Sequence, residues 1–279
     1  MKSYKIVIIE DEELIREELK TLLVNAGYVV DCVINFAKTI DYIKSAFPDL
    51  ILLDINLPEQ DGYRLCSSIR SFSPMKSEIG CVIMASGLAK RFGSNKLLAE
   101  FDGKPLLCRA FAVTEGLHRV VVTRSTEVQA LCEKYGIPVL HHILPFRSDT
   151  VRLGLEYLLP RFPAMSGCVF LPGDQPLLTR KTLCDMMSAF CAEPDRKSQI
   201  FRLCEPQSGT PGSPVLFGAD YFEELRSLPE GRGGGVVVKR HAEQVALFPV
   251  KHPAELMDAD TPDVLAKLKM IFQNDSFYR

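Results

Sequence analysis

Three groups of charged residues in this chain stand where an open α/β sheet could do chemistry. The first is in the stretch CVIMASGLAKRFGSNKLL, Cys81 to Leu98, where an apolar run gives way to small residues and then to Lys90, Arg91 and Lys96, with no acid before Glu100. A strand that ends in a glycine turn and opens a helix points backbone N–H groups outward, and with fixed cations beside it forms a seat for phosphate oxygens. Gly87 and Gly93 permit close approach of backbone to ligand. The backbone from Ala85 through Ser86 to Gly87, then Arg91, Gly93 and Lys96, are therefore the candidate contacts to the phosphates of a ligand, and a nucleotide is one such ligand. The spacing is not that of a P-loop, because Ser94 rather than Lys follows Gly93, nor that of a dinucleotide-binding turn, because Leu88-Ala89 fills the place of the second glycine.

Two acidic groups complete the set. Asp174, in CVFLPGDQPLL, follows an apolar run and Gly173. That puts it at the carboxyl end of a strand, where open sheets bind ligands, although a glycine–aspartate pair also marks ordinary turns. In ELMDADTPDVL, Asp258 and Asp260 precede a helix that begins near Pro262, and either Asp260 or Thr261 could serve as its N-cap. Transfer chemistry at a phosphate seat concentrates negative charge on phosphorus and on the leaving group, so it needs a cation as well as basic side chains. Asp174 and Asp260 are the first choices as magnesium ligands, with Asp258 next. Nearer the start of the chain, Glu10, Asp11 and Asp54 each end an apolar run and would gather on one sheet edge as a site for a hard cation.

The elements that must position these residues alternate along the chain. YKIVIIE reads as a strand, Glu12 to Asn25 as a helix closed by Gly27, YVVDCV as a strand, Phe36 to Ala46 as a helix, DLILLDI as a buried strand and Tyr63 to Ser71 as a helix. Ser71, Ser73 and Pro74 then punctuate the chain, and a boundary is expected at Pro74/Met75. The pattern resumes with a strand at Gly80 to Met84, a helix after Pro105, a strand at RVVVT, a helix at Glu127 to Tyr135 and a strand near Pro138 to Leu140. A helix at Thr150 to Leu159, a strand at CVFLP and a helix from Thr179 to Ala192 follow. Repeated strand–helix units imply mostly parallel sheets.

Composition narrows the function. An apolar content of 47% with 24% charged residues is ordinary for a globular protein, and a net charge of −2 gives no general attraction to nucleic acid or acidic membranes. No stretch has the length and apolarity of a membrane span. The nine cysteines form no CxxC and no ligand-like cluster, which points to reduced thiols in a cytoplasm. His118, His141, His142 and His241 show no partner spacing and read as structural or surface residues.

Residues 1 to about 73, with Glu10, Asp11 and Asp54 followed by PEQDG, resemble the receiver domain of two-component response regulators. The resemblance implies a flavodoxin-like fold in which Asp54 accepts a phosphoryl group beside a metal held with Glu10 and Asp11. It stops short: the last two strand–helix units of a receiver, with their Ser/Thr and Lys, have no counterpart. Truncation would leave one flank of the LILLD strand unpaired, so self-association through residues 1–74 is expected.

From residue 78 to about 270 the chain resembles the molybdenum cofactor cytidylyltransferases and their molybdopterin-nucleotide relatives. The carriers are the Ala85-Ser86-Gly87 to Lys96 segment, GDQP at Gly173, FRSDTVRLGL at Phe146 to Leu155, GTPGSPVLF at Gly209 to Phe217, and GRGGGVVVKRH at Gly231 to His241. The resemblance implies a Rossmann-like three-layer α/β/α domain that transfers CMP from CTP, or another nucleoside monophosphate from its triphosphate, to a phosphorylated pterin acceptor with Mg2+. Arg91, Lys96 and Asp174 would be the catalytic residues, and Ser148 and Asp149 would contact base or ribose. Arg232, Lys239 and Arg240 would meet the anionic acceptor, unless that charge run is simply a solvated face. A molybdoenzyme or its chaperone is the implied protein partner. Two alternatives stay open: a transferase of the same fold acting on another phosphorylated small molecule, and a signalling protein that uses Asp54.

Overall fold

A computed structural model describes residues 4–46, 48–58, 61–72, 78–87, 92–93 and 95–278. The chain divides into two compact units, Met1–Pro74 and Met75–Arg279.

The first unit alternates β1 (Lys5–Ile9), α1 (Glu13–Asn25), β2 (Val29–Val33), α2 (Thr39–Ala46), β3 (Leu50–Leu53) and α3 (Gly62–Phe72). Its sheet has the order β2-β1-β3, and both pairings are parallel. β1 is central, so Ile6 to Ile9 are buried, and Val7 and Ile9 pack with Val33, Phe36, Ile43, Leu57 and Leu65. The expectation of a buried third strand needs correction. Leu50 is 51% exposed and the rest of β3 is half-buried, because among the described residues β3 pairs with β1 alone. The helical spacing of α1 likewise leaves Leu14 and Leu22 exposed.

The second unit is built on a seven-stranded sheet in the order β12-β10-β11-β9-β4-β7-β8. Its strands are β4 (Ile79–Ala85), β7 (His118–Thr123), β8 (Val139–His141), β9 (Gly167–Pro172), β10 (Ile200–Cys204), β11 (Pro211–Gly218) and β12 (Val245–Pro249), with β5 (Glu100–Phe101) and β6 (Lys104–Pro105) forming a separate small hairpin. All pairings in the large sheet are parallel except those of β11, which runs antiparallel to β9 and β10. β4 lies between β7 and β9, and its unbroken apolar run reflects burial on both faces. The helices are α4 (Leu107–Val113), α5 (Thr126–Lys134), α6 (Arg147–Leu158), α7 (Arg180–Ala192), the short α8 (Phe222–Arg226) and α9 (Gly235–Arg240), and α10 (Pro262–Asn274). α6 packs closely on β4. A Cβ at Gly154 would lie 2.5 Å from a Val82 methyl, so the glycine sets the distance between helix and sheet. Leu155 and Leu158 join Val82, Val120 and Phe170 in the core beneath it. β10, β11 and β12 have no counterpart in the sequence reading.

Candidate active site

The carboxyl end of β4 delivers Ala85, Ser86 and Gly87 to the wall of a cavity of about 420 Å3. Side chains from β7 and the loops beyond it hold this backbone in place. Thr123 Oγ1 donates to Ala85 O at 3.1 Å, Ser86 Oγ donates to Val122 O at 3.1 Å, and Arg124 Nε donates to Ser86 O at 2.9 Å. His142 Nε2 lies 2.9 Å from Ser86 Oγ. Asn95 caps the turn that carries Lys96: its Oδ1 accepts from Leu97 N at 3.2 Å while its Nδ2 donates to Ser125 Oγ at 3.0 Å.

Lys96 is the centre of the arrangement. Its ammonium pairs with Asp174 and lies 2.8 Å from Asp260 Oδ1. The backbone fixes this convergence, since Gly173 N donates to Met84 O at 3.1 Å and Ala259 N donates to Asp174 O at 2.9 Å. The segment bearing Asp260 is thereby tied to the segment bearing Asp174, and the latter to the end of β4. Thr261 caps α10, its Oγ1 accepting from Val264 N at 3.3 Å, which leaves the Asp260 carboxylate to face Lys96. Burial acts to lower the Lys96 pKa, but its bonds to Asp174 and Asp260 outweigh that and hold it above the ordinary lysine value. Asp258 behaves differently. The residue as a whole is exposed, yet its carboxyl is hemmed in, and burial first, then the charge of Asp174, push its pKa up to about 6 against a hydrogen bond with Gln175.

Two carboxylates converging on one ammonium can converge equally on a divalent ion, and oxygen donors of this kind suit a hard cation. Asp174 and Asp260 therefore fit a metal, whereas Asp258 does not complete a three-ligand group with them, the only such group among the described residues being Glu10, Asp11 and Asp54.

Of the other sequence-derived candidates, Gly93 takes a positive φ of 77° and Arg91 lies outside the described residues. Ser148 is buried, and neither it nor Asp149 is among the residues lining the cavity. The Asp149 carboxylate caps α6 by accepting from Phe146 N at 3.1 Å, and it pairs with Arg152 at 3.3 Å. In their place Phe146, Arg147 and Thr150 reach the wall. Arg232, Lys239 and Arg240 are exposed and line neither this cavity nor its neighbour, and Arg240 pairs with Glu224. The sequence reading passed over Arg124, and it read His142, which the structure sets against Ser86, as a structural or surface residue. TRS after the strand RVVVT was the available signal for Arg124, since it is a basic residue at another strand's carboxyl end.

In the first unit, Glu10, Asp11 and Asp54 each offer an oxygen within 4.8 Å of the others. Arg16 Nη1 donates to the carbonyls of Glu10 at 2.9 Å and Asp11 at 3.2 Å, fixing the loop that carries them.

Residues 81–245 match the family described as the MobA-like NTP transferase domain. The chain belongs to that family. Residues 6–99 match the response regulator receiver domain, a match that begins in the first unit and runs into the second. The sensory transduction protein BceR of Halalkalibacterium halodurans is 41% identical over 70 residues, which is 25% of this chain and 30% of BceR. The chain thus spans about a third of the length of that relative. Among solved structures, Rv0371c of Mycobacterium tuberculosis H37Rv shares 23% identity over 69% of this chain and 98% of its own, with a TM-score of 0.60. A second structure of Rv0371c, at 22% identity over 69% and 98% and a TM-score of 0.54, contains manganese. A CMP:2-keto-3-deoxy-manno-octonic acid synthetase complexed with CTP shares 15% identity over 71% and 99%, with a TM-score of 0.56. Molybdopterin-guanine dinucleotide biosynthesis protein A of Archaeoglobus fulgidus shares 16% over 70% and 100%, with a TM-score of 0.53. These likenesses establish a common fold. Among the described residues no helix is long and apolar enough to cross a membrane.

Proposed function

We propose that the second unit transfers a nucleoside monophosphate, CMP from CTP, to a phosphorylated pterin-type acceptor such as molybdenum-molybdopterin, and releases pyrophosphate. The observation that carries this reading is the grouping of Lys96, Asp174 and Asp260 at a cavity walled by the backbone of Ala85 to Gly87. A terminal phosphate oxygen of the acceptor attacks the α-phosphorus of the triphosphate, one P–O bond forms, and the bond to the β-phosphate oxygen breaks with that electron pair leaving on pyrophosphate. Magnesium held by Asp174 and Asp260 would neutralise the developing charge. The chain's own residues orient and stabilise. Backbone N–H groups at Ser86 and Gly87 seat phosphate oxygens, and Arg91 and Lys96 bind the β- and γ-phosphates of the leaving group. CTP and molybdopterin enter this reading through the synthetase complexed with CTP and the molybdopterin-guanine dinucleotide biosynthesis protein that share the fold, and through the residue matches from Phe146 to His241.

The test is pyrophosphate release by the purified chain with each of the four nucleoside triphosphates, with and without a molybdopterin-type acceptor. Release is expected with CTP and acceptor together, and Lys96→Ala should remove most of it while the protein stays folded by circular dichroism. Unchanged release in Lys96→Ala overturns the role given to that lysine. The proximity of Glu10, Asp11 and Asp54 favours a second activity at the first unit, phosphorylation of Asp54. Incubation with acetyl phosphate and intact-mass measurement tests it, and an unchanged mass rejects it.

A further inference from the structure

The two segments that carry Asp174 and Asp260 are laced together side by side. Ala259 N donates to Asp174 O at 2.9 Å, and Gln175 Nε2 donates to Leu256 O at 3.3 Å. The last rung is Glu255, whose Oε2 accepts from Thr179 N at 3.1 Å and from Thr179 Oγ1 at 2.9 Å. Along these rungs one segment rises from 174 to 179 while the other falls from 259 to 255, so the loop after β9 is braced against the stretch that leads into α10. Thr179 lies five residues after Asp174, and Glu255 five residues before Asp260.

Glu255 is wholly buried and is not among the residues lining the cavity. Its other oxygen, Oε1, accepts from Lys251 N at 3.2 Å and from His252 N at 3.3 Å. The four donors are three peptide N–H groups and one hydroxyl, none of them a cation. Placing a carboxyl group on such partners is costly where an apolar residue would fill the same space. What it supplies is two oxygens that only accept, one for each segment. A glutamine of the same size would turn its NH2 towards N–H donors on one side and lose that tie. Thr179 also caps α7, its Oγ1 accepting from Thr182 N at 3.1 Å, so the clamp grips the start of a helix rather than a free loop.

We propose that Glu255 is a positioning residue for the two acids. By holding Thr179 to the backbone at 251–252 it sets the span between Asp174 and Asp260, and with it the affinity for a metal-bound triphosphate, while touching neither metal nor nucleotide. This rests on the nucleotidyl-transfer reading of the cavity. The Lys96 ammonium, which bridges both acids, closes the same span from the cavity side.

The experiment measures CTP binding to the full chain by titration calorimetry, once with Mn2+ and once in chelator. Mn2+ is expected to tighten CTP binding to the wild type. In Glu255→Gln that tightening should fall about tenfold or more, as when a group that orients a metal ligand is lost, while affinity in chelator stays the same. A residue that only stabilised the fold would lower Tm and leave the Mn2+ effect on the folded protein unchanged. If Glu255→Gln does not fold, Thr179→Val, which loses the hydroxyl, should weaken the Mn2+ effect, and Thr179→Ser, which keeps it, should match wild type. A wild-type Mn2+ effect in folded Glu255→Gln, or equal effects in Thr179→Val and Thr179→Ser, overturns the proposal. A wild-type chain that binds no CTP under either condition overturns the transferase reading and this proposal with it, so the wild type alone tells the two failures apart.

Discussion

Replacing Lys96 by methionine isolates the charge at the centre of the site, because the unbranched stem is kept while the ammonium is lost. The Lys96 and Asp174 side chains are 13% and 17% exposed, and that of Asp260 is 38% exposed. Removing one partner of a buried pair costs roughly 3–5 kcal/mol because the remaining charges are stranded. With Asp260 more than one-third exposed, the lower end, about 3 kcal/mol, is the appropriate figure after allowance for solvent screening. In a unit of this size about 1 kcal/mol moves Tm by roughly 2–4 °C, so Lys96→Met should melt roughly 6–12 °C below wild type in a chelating buffer. Mg2+ or Mn2+ should then recover much of the loss. Two carboxylates no longer engaged by an internal ammonium bind the ion more readily, and at about 100 times Kd the ion contributes about 2.7 kcal/mol. Differential scanning fluorimetry across a metal titration measures both quantities. A variant that melts within about 1 °C of wild type in chelator, or that responds to metal no more than wild type does, would refute the reasoning that Lys96 stands between two metal-binding acids.

Asp258→Asn should alter the pH dependence of stability in chelating buffer. The folded carboxyl keeps its proton up to about pH 6 against an ordinary 3.8, so between those values the folded state binds more protons than the unfolded state. This group's contribution therefore falls as pH rises through that window. The variant should match wild type at the acid end and exceed it above pH 6, and parallel melting curves across the range would contradict this. Residues 1–74 produced alone should self-associate or stay unfolded because of the free edge of β3, which sedimentation velocity checks; a folded, monodisperse monomer contradicts it.

The parts of the site legible in the sequence were those where an apolar run stops at a charged or small residue. Ala85, Lys96, Asp174 and the acids of the first unit all belong to segments of that kind. Asp260 was ambiguous because Thr261 offered an equally good cap, and only the three-dimensional placement of α10 assigns the cap to threonine. Ser148 and Asp149 do not line the cavity: Ser148 is buried, the Asp149 carboxylate accepts from Phe146 N at the start of α6, and the neighbouring Arg147 reaches the wall. β10 and β12 went unseen because they are only five residues long, and β11, of eight, because its interior Gly212 and Pro214 break alternation.

β4 has a further consequence for how the protein is made. Its partners β7 and β9 come after it in the chain, the second ending at Pro172. At roughly 5–20 residues per second, the ribosome needs on the order of 4–17 seconds after Ala85 to deliver Pro172. Throughout that delay a fully apolar ribbon waits without its partner strands. The receiver family match, which runs on through residue 99, overlaps this same ribbon. Nascent chains are therefore most open to mispairing in that interval, and slowing translation just past residue 85 should lower the yield of native protein more than an equal pause placed after residue 172.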